Sequence, residues 1–178
     1  ADLPVSHVSQ HMALEFAQRI GCELPTDAQW EYAARGGTDT AWWLGSEPEL
    51  LNGRANLADR QIASVNKAWL RHATFDDGFA QLAPVGSFGA NPFGLHDSCG
   101  NVWEWCADGA MQDLRDPVRA DGTGWRLHRS SRRGLRGGAY TSDVNKLRSA
   151  FRSGDFPANQ APDTGFRVVC RWPPDAAK

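Results

Sequence analysis

The sequence predicts an α+β fold, with two helices first, a long irregular region next and short strands in the last third. Three observations carry this prediction. Apolar residues recur at helical spacing near the amino terminus, apolar and polar residues alternate near the carboxyl terminus, and the chain contains 8 Trp and 18 Gly. So many tryptophans and glycines indicate loops held by aromatic clusters, rather than a helical bundle or a doubly wound sheet. A length of 178 residues corresponds to one domain.

The amino-terminal part of the chain predicts both helices. In residues 9–20, SQHMALEFAQRI, the apolar side chains fall on one helical face, and Ser9 can cap the first turn. A second helix is predicted to begin after Thr26, where Gln29 stands three residues from the cap and completes a capping box. Gly36 follows this helix as a stop signal.

The rest of the chain predicts loops and a small sheet. Residues 41–93 show neither the helical nor the strand period, so we expect a long loop region that needs contacts or an ion to hold it. A second loop is expected at residues 109–133. Short strands of an antiparallel sheet are predicted at residues 84–88, 101–105, 135–140, 147–152 and 165–172.

The chain is organised around residues 94–105, GLHDSCGNVWEW. In an extended segment, Trp103 and Trp105 point to the same face and would bury a large apolar area together. Asp97 and Glu104 supply oxygens that calcium prefers, and the turn between them can add carbonyl groups. Two interpretations are therefore open, an aromatic anchor beside a polar turn and a cation site.

Composition narrows the classes of partner. Lys and Arg number 19 against 21 Asp and Glu, a net charge of −2, so no global field favours nucleic acid or a membrane surface. The local exception is residues 126–136, RLHRSSRRGLR, which form either a solvated connector or a contact for phosphate or an acidic partner. No long apolar run predicts a membrane segment. The start of the chain lacks a signal pattern, so an export signal would have to lie outside it.

The four cysteines show no zinc-binding spacing. Cys99 and Cys106 could bridge in an oxidising compartment, but a domain of this size does not need that link, so we expect reduced, buried thiols. The five histidines are scattered, and His96 is expected to be a packed loop residue. No Ser or Cys nucleophile stands in a recognisable setting, so the residues make no case for an enzyme.

Several motifs stand out along the chain. They are LPTDAQWEYAARGG at 24–37, DDGF at 76–79, APVGSFGANPFGLHDSCGNVWEWCAD at 83–108, LRGGAY at 135–140, LRSAFR at 147–152 and GFRVV at 165–169. In this order they resemble one family, the formylglycine-generating-enzyme-like (sulfatase-modifying factor) domain, which has a C-type-lectin-like fold. The match spans about residues 4–169, and the strand and hairpin with which the family usually opens are missing. We therefore expect a fragment or a part of a longer protein.

The resemblance implies two structural calcium sites. Oxygen ligands drawn from loops suit calcium better than a transition metal. The first set would comprise the side chains of Asn56 and Asp77 with the carbonyls of Leu57 and Phe79. The second set would comprise the side chains of Asp97 and Glu104 with the carbonyls of Gly100 and Val102.

The resemblance does not extend to the copper chemistry of the family's enzymes. Those enzymes hold copper(I) with a pair of cysteines just after the RGG strand, because soft thiolates suit that ion. Residues 139–146, AYTSDVNK, contain no cysteine, and Ser142 cannot replace one as a copper(I) ligand. We therefore expect no copper and no formylglycine-generating activity.

Non-enzymatic members of the family include the variable proteins of diversity-generating retroelements, which display mutable side chains near the carboxyl terminus. The resemblance implies such a face here, with a protein as its ligand. The alternatives are a fixed accessory or sensor domain of a multidomain signalling protein, an immunity-type partner, or an oxidoreductase, which is disfavoured. The predicted ligand-binding residues are Tyr140, Thr141, Ser142, Asp143, Phe151, Ser153, Asp155, Phe156, Asn159, Gln160 and Asp163.

Overall fold

The computed structural model describes residues 2–65, 73–110 and 132–171. Two helices come first, α1 (Gln10–Arg19) and α2 (Asp27–Arg35), and a short helix α3 (Arg60–Val65) follows. The strands β1 (Trp103–Gly109), β2 (Arg133–Arg136), β3 (Ser153–Asp155) and β4 (Thr164–Gly165) form one sheet. The α+β prediction is confirmed. The loop predicted at residues 109–133 lies largely outside the described residues.

Both predicted helices form where local capping chemistry places them. The Ser9 hydroxyl accepts a hydrogen bond from the Met12 N–H, which satisfies one of the free donors at the start of α1. At α2, Thr26 and Gln29 form the predicted capping box. Gly36 ends α2 with a φ of 57°, a backbone conformation that glycine adopts without strain.

The sheet has the order β3-β2-β1-β4, with antiparallel pairs β3–β2 and β2–β1. Strand β4 runs parallel to β1, so the expectation of a purely antiparallel sheet is wrong. A parallel partner requires a crossover, and the long connection between β1 and β4 provides one. The sheet is therefore mixed.

Several strand predictions are wrong in extent. Residues 147–152 form no strand, because a 3-10 turn ends at Leu147 and a second turn, closed by the bond from Phe151 N to the Arg148 carbonyl, follows it. Residues 84–88 form a turn closed by the bond from Ser87 N to the Pro84 carbonyl.

The bounds of the other predicted strands shift. Strand β1 begins two residues later than expected because Asn101 has a positive φ of 65°. Strand β2 ends at Arg136 because Gly137 and Gly138 adopt φ values of 90° and 75°. Of the predicted strand at 165–172, only Gly165 joins the sheet, as part of β4, although Val169 forms one bridge with Glu23.

The predicted loop region at 41–93 contains more regular structure than its sequence pattern indicates. A 3-10 turn occupies Pro48–Leu51, and α3 occupies Arg60–Val65. The Asp59 carboxylate accepts a hydrogen bond from Gln61 N and so supports the first turn of α3. With six residues, this helix is too short for a hydrophobic period to reveal it.

Aromatic side chains organise the core, as predicted. Trp105 is 1% exposed and packs with Ala13 of α1, Leu24 and Leu135, and the partly buried Trp103 joins the same cluster. A second cluster gathers around the loops and contains Trp42, Leu51, Ala55, Leu57, Cys99 and Leu147. The aromatic half of the 94–105 motif therefore anchors the sheet to α1.

The cysteine prediction is partly wrong. Cys22 and Cys170, which are 148 residues apart, form a disulfide. The bond lies next to the bridge between Glu23 and Val169, which brings the two chain segments together. Cys99 and Cys106 are free, buried thiols, in agreement with the expectation for that pair. The expectation of reduced thiols fails at Cys22 and Cys170, because these residues approach each other only through tertiary folding.

Helix α2 and strand β2 are joined by buried ion pairs. The Arg136 side chain is fully buried and pairs with Glu31 and, at 3.0 Å, with Asp27. Arg152 pairs with the same two carboxylates, each at 2.8 Å. The Arg136 guanidinium also lies 5.2 Å from the centre of the Trp30 ring, a cation–π distance. Two cations therefore offset two anions inside the fold.

None of the helices in the described residues has the length and apolar content required to cross a membrane.

Candidate functional site

The first predicted calcium set is brought together by the loops on either side of α3. The Asp77 carboxylate accepts hydrogen bonds from Leu57 N at 3.0 Å and from Phe79 N at 2.8 Å. The Asn56 side chain is buried, and its Nδ2 donates to the Gln81 carbonyl at 2.8 Å. Its Oδ1 has no hydrogen-bond partner among the described residues. An acceptor-only oxygen left free inside a fold is what a cation ligand offers.

Electrostatics at this set favour a cation. Burial raises the pKa of Asp77 to about 6, and the nearby carboxylates of Asp59 and Asp76 act in the same direction. Hydrogen bonds from the N–H groups of Phe79 and Leu57 only partly oppose this rise. Asp59 is fully buried and accepts a hydrogen bond from Asp77 N at 2.7 Å. A divalent cation would offset this concentration of negative charge.

The second predicted set fits a cation at Asp97. This residue has a positive φ of 54°, and its Oδ2 accepts a hydrogen bond from Gly86 N at 2.6 Å. Its Oδ1 is buried without a hydrogen-bond partner in the described structure. Glu104 differs, because it already accepts hydrogen bonds from Trp30 Nε1 at 2.6 Å and from Arg167 Nη2 at 2.5 Å. The charge of Glu104 is therefore offset within the protein.

The two sets adjoin through the backbone. Asn56 of the first set forms a parallel bridge with Gly100 of the second. A Cβ atom on Gly100 would lie 1.9 Å from the Asn56 carbonyl oxygen, so only glycine permits this approach. No group of three His, Cys, Asp or Glu side chains gathers as a metal centre in the described ranges. Both sets depend on amide and carbonyl oxygens as well, and calcium binding remains a prediction.

Asn101 links these sets and was not among the predicted ligands. Its side-chain Oδ1 accepts hydrogen bonds from Asn56 Nδ2 at 3.1 Å and from Ala83 N at 3.0 Å. The detectable signal in the sequence was the Gly100-Asn101 pair, because such pairs favour positive φ values, and Asn101 has one here. Asp59 was also missed, since nothing in the sequence marks its burial beside Asp77.

One part of the predicted ligand face gathers around Trp103. Thr141 donates to the Asp163 carboxylate at 2.5 Å, and the Asp163 carbonyl accepts from Trp103 N at 2.8 Å. The Phe151 ring lies 6.1 Å from the Trp103 ring, in a tilted arrangement. Burial raises the pKa of Tyr140, and the negative charge of Asp163 raises it further. Tyr140, Thr141, Phe151 and Asp163 are all partly exposed.

A second part of the predicted face lies in and after β3. Ser153 pairs with Leu135 in the sheet. Asp155 Oδ1 accepts hydrogen bonds from Phe156 N and from Asn159 Nδ2, both at 2.8 Å. Phe156 is 46% exposed and stacks with the Arg132 guanidinium at 5.3 Å. The side chains of Asn159 and Gln160 are also exposed.

Two side chains and one glycine of this region have structural roles instead. Ser142 is 2% exposed, and its hydroxyl accepts a hydrogen bond from Ala139 N, so its prediction as a surface contact is wrong. Asp143 is partly exposed but caps the 3-10 turn and lies 3.8 Å from Lys146. A Cβ atom on Gly154 would lie 2.3 Å from the Ala110 Cβ, so this position cannot vary freely.

The thiols of the described residues are poorly suited to copper chemistry. Burial raises the pKa of Cys99 to about 12 and that of Cys106 well above its ordinary value. The thiolate is the metal-binding form, so both groups stay protonated at neutral pH. Cys22 and Cys170 are occupied by their disulfide. His96, which accompanies Asp97 in the sequence, bonds the Phe88 carbonyl at 2.7 Å, as expected for a packed loop residue.

An apolar groove of about 430 Å³ adjoins the second predicted metal set through Arg167, which pairs with Glu104. The groove is lined by three parts of the chain: the amino-terminal segment, α1 and the residues after β4. None of the predicted ligand-binding residues lines it. Its lining consists of Val5, Val8, Met12, Phe16, Phe166, Arg167 and Val168.

Comparisons with a family model and with known sequences indicate the same family. The family model for the sulfatase-modifying factor enzyme 1-like domain matches residues 1–172. A formylglycine-generating enzyme of Streptomyces coelicolor is 38% identical over 178 residues, covering 93% of this chain and 52% of the enzyme. The inactive C-alpha-formylglycine-generating enzyme 2 of Mus musculus is 33% identical, covering 94% of this chain and 49% of that protein. The serine/threonine-protein kinase pkn1 of Chlamydia pneumoniae is 32% identical, and the match covers 93% of this chain and 24% of the kinase.

Solved structures share the fold. Treponema denticola variable protein 1 superimposes with a TM-score of 0.74 at 22% identity, covering 96% of this chain and 72% of that one. The Major Tropism Determinant U1 variant gives a TM-score of 0.54 at 16% identity, and the match covers 91% of this chain and 37% of that one. At such identities the likeness concerns the fold alone, and it confirms the C-type-lectin-like architecture.

This chain spans about half the length of the formylglycine-generating enzymes that it matches. The shared motifs nevertheless run along almost its entire length, and the relatives include catalysts, a protein named as inactive and a kinase. The chain belongs to the sulfatase-modifying factor enzyme 1-like domain family.

Proposed function

We propose that this chain is a non-catalytic ligand-binding domain whose binding face is built from residues 140–163, and that it acts as a variable protein of a diversity-generating retroelement. The observation that carries the proposal is the cluster of Tyr140, Thr141, Phe151 and Asp163 around Trp103. These side chains follow the RGG strand, in the region where the family's enzymes hold copper. Here that region contains no thiol.

The composition of the face suits a protein ligand. Tyr140, Phe151 and Phe156 offer rigid aromatic area, while Thr141, Asn159 and Gln160 offer adaptable hydrogen-bonding groups, as in antibody binding sites. The framework beneath is rigid, because Arg136 is fixed by two carboxylates and donates to the Phe151 carbonyl. A rigid scaffold under exchangeable side chains is the usual way in which loops carry binding.

The likeness in fold to Treponema denticola variable protein 1 is compatible with this proposal, as is the relative named as inactive. The homologous enzymes favour catalysis instead. The absent cysteine pair and the raised pKa values of the buried thiols argue against that activity here. Copper(I) titration combined with oxygen uptake tests it directly, and we expect neither binding nor uptake.

A second candidate is a fixed accessory or sensor domain. The similarity to a Chlamydia pneumoniae kinase, of which this chain covers 24%, favours it, because a domain of this family is there part of a much longer protein. In that case the same face would recognise one dedicated partner, such as a protein fused to this domain or encoded beside it.

Deep sequencing of codons 136–169 from a population of the source cells separates the two candidates. For a variable protein, substitutions crowd into the exposed positions of the face and spare the RGG, LRSA and GFRVV motifs. The structure sharpens this expectation, because buried Ser142 and tightly packed Gly154 should also stay constant. Identical reads across the population would contradict the variable-protein proposal and favour the fixed domain.

For a fixed domain, the adjacent gene product is the first probe. Replacing Tyr140, Phe151 and Phe156 together by Ala should remove at least about 2 kcal/mol of binding, the usual contribution of aromatic anchors, and leave the protein folded. Loss of binding from changes at Arg129 or Arg132 instead would place the contact on the basic loop.

A further inference from the structure

Asn101 uses its polar groups to join three separate segments. Its backbone N donates to the Asn56 carbonyl at 2.9 Å, and its carbonyl accepts from Tyr140 N at 3.0 Å. Its side chain accepts from Asn56 Nδ2 and exchanges hydrogen bonds with the backbone of Ala83. The residue is 2% exposed, so these bonds are shielded from water. One residue therefore touches the first calcium set and the start of the ligand face.

The Asn101 side chain also fixes the orientation of a predicted metal ligand. Asn56 Nδ2 donates both to Asn101 Oδ1 and to the Gln81 carbonyl. Rotating the amide by half a turn would forfeit both bonds, so the free Oδ1 is the atom presented to a cation. Such outer contacts orient a ligand and tune its affinity for the metal.

Two further hydrogen bonds run alongside the Asn101 contacts. Gly100 N donates to the Gly137 carbonyl at 2.8 Å, and Ala58 N donates to the Ser142 carbonyl at 2.9 Å. Gly100 and Ala58 are a predicted ligand and the neighbour of a predicted ligand, respectively. Backbone hydrogen bonds therefore connect both ends of residues 137–142, the first part of the ligand face, to the two predicted calcium sets.

We propose that Asn101 is a positioning residue that couples calcium occupancy to the conformation of residues 137–143, and so makes ligand binding at this face dependent on calcium. The inference rests on the proposed function, in which these residues form part of the face. Calcium at the Asn56 and Asp77 oxygens holds the Asn56 amide in place. Asn101 transmits this restraint to Tyr140, because its side chain accepts a hydrogen bond from the Asn56 amide and its carbonyl accepts one from Tyr140 N.

The test uses the full chain and needs no ligand. Calcium affinity is measured by titration calorimetry, and amide hydrogen exchange is followed in residues 137–143 and in α1. In the natural sequence, we expect calcium to slow exchange in 137–143 more than in α1, by about 5- to 150-fold, the usual range of coupling between two sites. Global stabilisation alone would slow both regions equally.

The informative variant is Asn101→Gly. Glycine tolerates the φ of 65° and keeps the backbone bonds, so the fold should survive while the side-chain bonds to Asn56 and Ala83 are lost. Calcium affinity should fall about 10- to 100-fold, and the extra slowing in 137–143 should disappear at saturating calcium.

Asn91→Gly is the matched control. Asn91 is equally buried, and its side chain donates to the carbonyls of Ala33 and Ala34 at the end of α2. This variant should lose stability but keep both calcium affinity and the response of 137–143.

Three outcomes would overturn the proposal. If calcium binds but does not slow hydrogen exchange in residues 137–143 more than in α1, the metal sites and the ligand face would not be coupled. An Asn101→Gly variant that responds like the natural sequence would remove the role of Asn101. Absence of calcium binding would remove the premise of the coupling, while the binding function would still be decided separately by sequencing and by the aromatic variants.

Discussion

Buried carboxylates are balanced in opposite ways in two regions of this protein. Between α2 and β2, Asp27 and Glu31 face Arg136 and Arg152. In the loops around α3, the Asp77 carboxylate accepts hydrogen bonds from backbone N–H groups and is subject to repulsion from the carboxylates of Asp59 and Asp76. The first region supplies its own cations, whereas the second combines interacting carboxylates with an amide oxygen, on Asn56, that has no hydrogen-bond partner among the described residues.

The pKa directions express the same difference. Burial alone would raise the pKa of Glu31, but Arg136, Arg35 and Arg152 outweigh it and leave the pKa below its ordinary value. For Asp77, burial dominates and raises the pKa to about 6. A structural ion-pair network and a cation site can both contain buried acids. Arginine partners for the acids indicate an ion-pair network, whereas their absence at Asp77 in the described part of the chain favours a cation site.

Removing the central arginine is the largest expected disruption. Arg136→Met leaves Asp27 and Glu31 with only part of their compensation inside the fold, so the free energy of unfolding should fall by about 3–5 kcal/mol. Urea unfolding measures the change. Arg19→Met is the control, because its pair with Glu15 is exposed and should contribute less than about 1 kcal/mol. Equal losses in both variants would contradict the importance of the buried network.

Calcium should stabilise the second region by a smaller amount. At a calcium concentration about 100 times the dissociation constant, the gain is about 2.7 kcal/mol, which raises the melting temperature by several degrees. Asp77→Asn should abolish this gain, while Arg136→Met should keep it if the variant folds. A melting temperature unchanged by calcium and by excess chelator would count against the site.

The smallest effect concerns pH. A proton on Asp77 competes with calcium, so calcium affinity should weaken as the pH falls through about 6. In the metal-free protein the raised pKa has the opposite consequence. The stability that Asp77 contributes is present below its unfolded pKa and is lost as the pH rises through about 6.

Glu31 gives the reverse slope, because its pKa is lowered. Its contribution is present above the unfolded pKa and is lost as the pH falls through the folded one. Calorimetric calcium titrations of the natural sequence from pH 5 to 7.5 measure the predicted loss of calcium affinity. A calcium affinity that does not change across this range would contradict the assignment.

Local chemistry made the first part of the fold predictable. The caps at Ser9 and Thr26 act within one helical turn, so the sequence locates both helices. Hydrophobic alternation was less informative, because short strands hold too few residues to show it. The 3-10 turn at Val144–Leu147 therefore replaced part of a predicted strand.

The candidate site was predictable only in part. Motif resemblance indicated Asn56 and Asp77, and the structure brings their oxygens and the neighbouring backbone into one region. The same pattern could not show that Ser142 is buried or that Gly154 abuts Ala110, since both facts depend on packing between distant segments.

By itself, the sequence determined the fold class, the two capped helices and the aromatic anchor at residues 94–105, because capping residues, residue periodicity and clustered tryptophans can be read directly from it. Tertiary structure decided that Cys22 meets Cys170, that β4 runs parallel to β1, and that Asn101 joins Asn56 to Tyr140. These pairings bring together residues distant in the chain. Their selection depends on how the whole chain packs, and no local pattern encodes it.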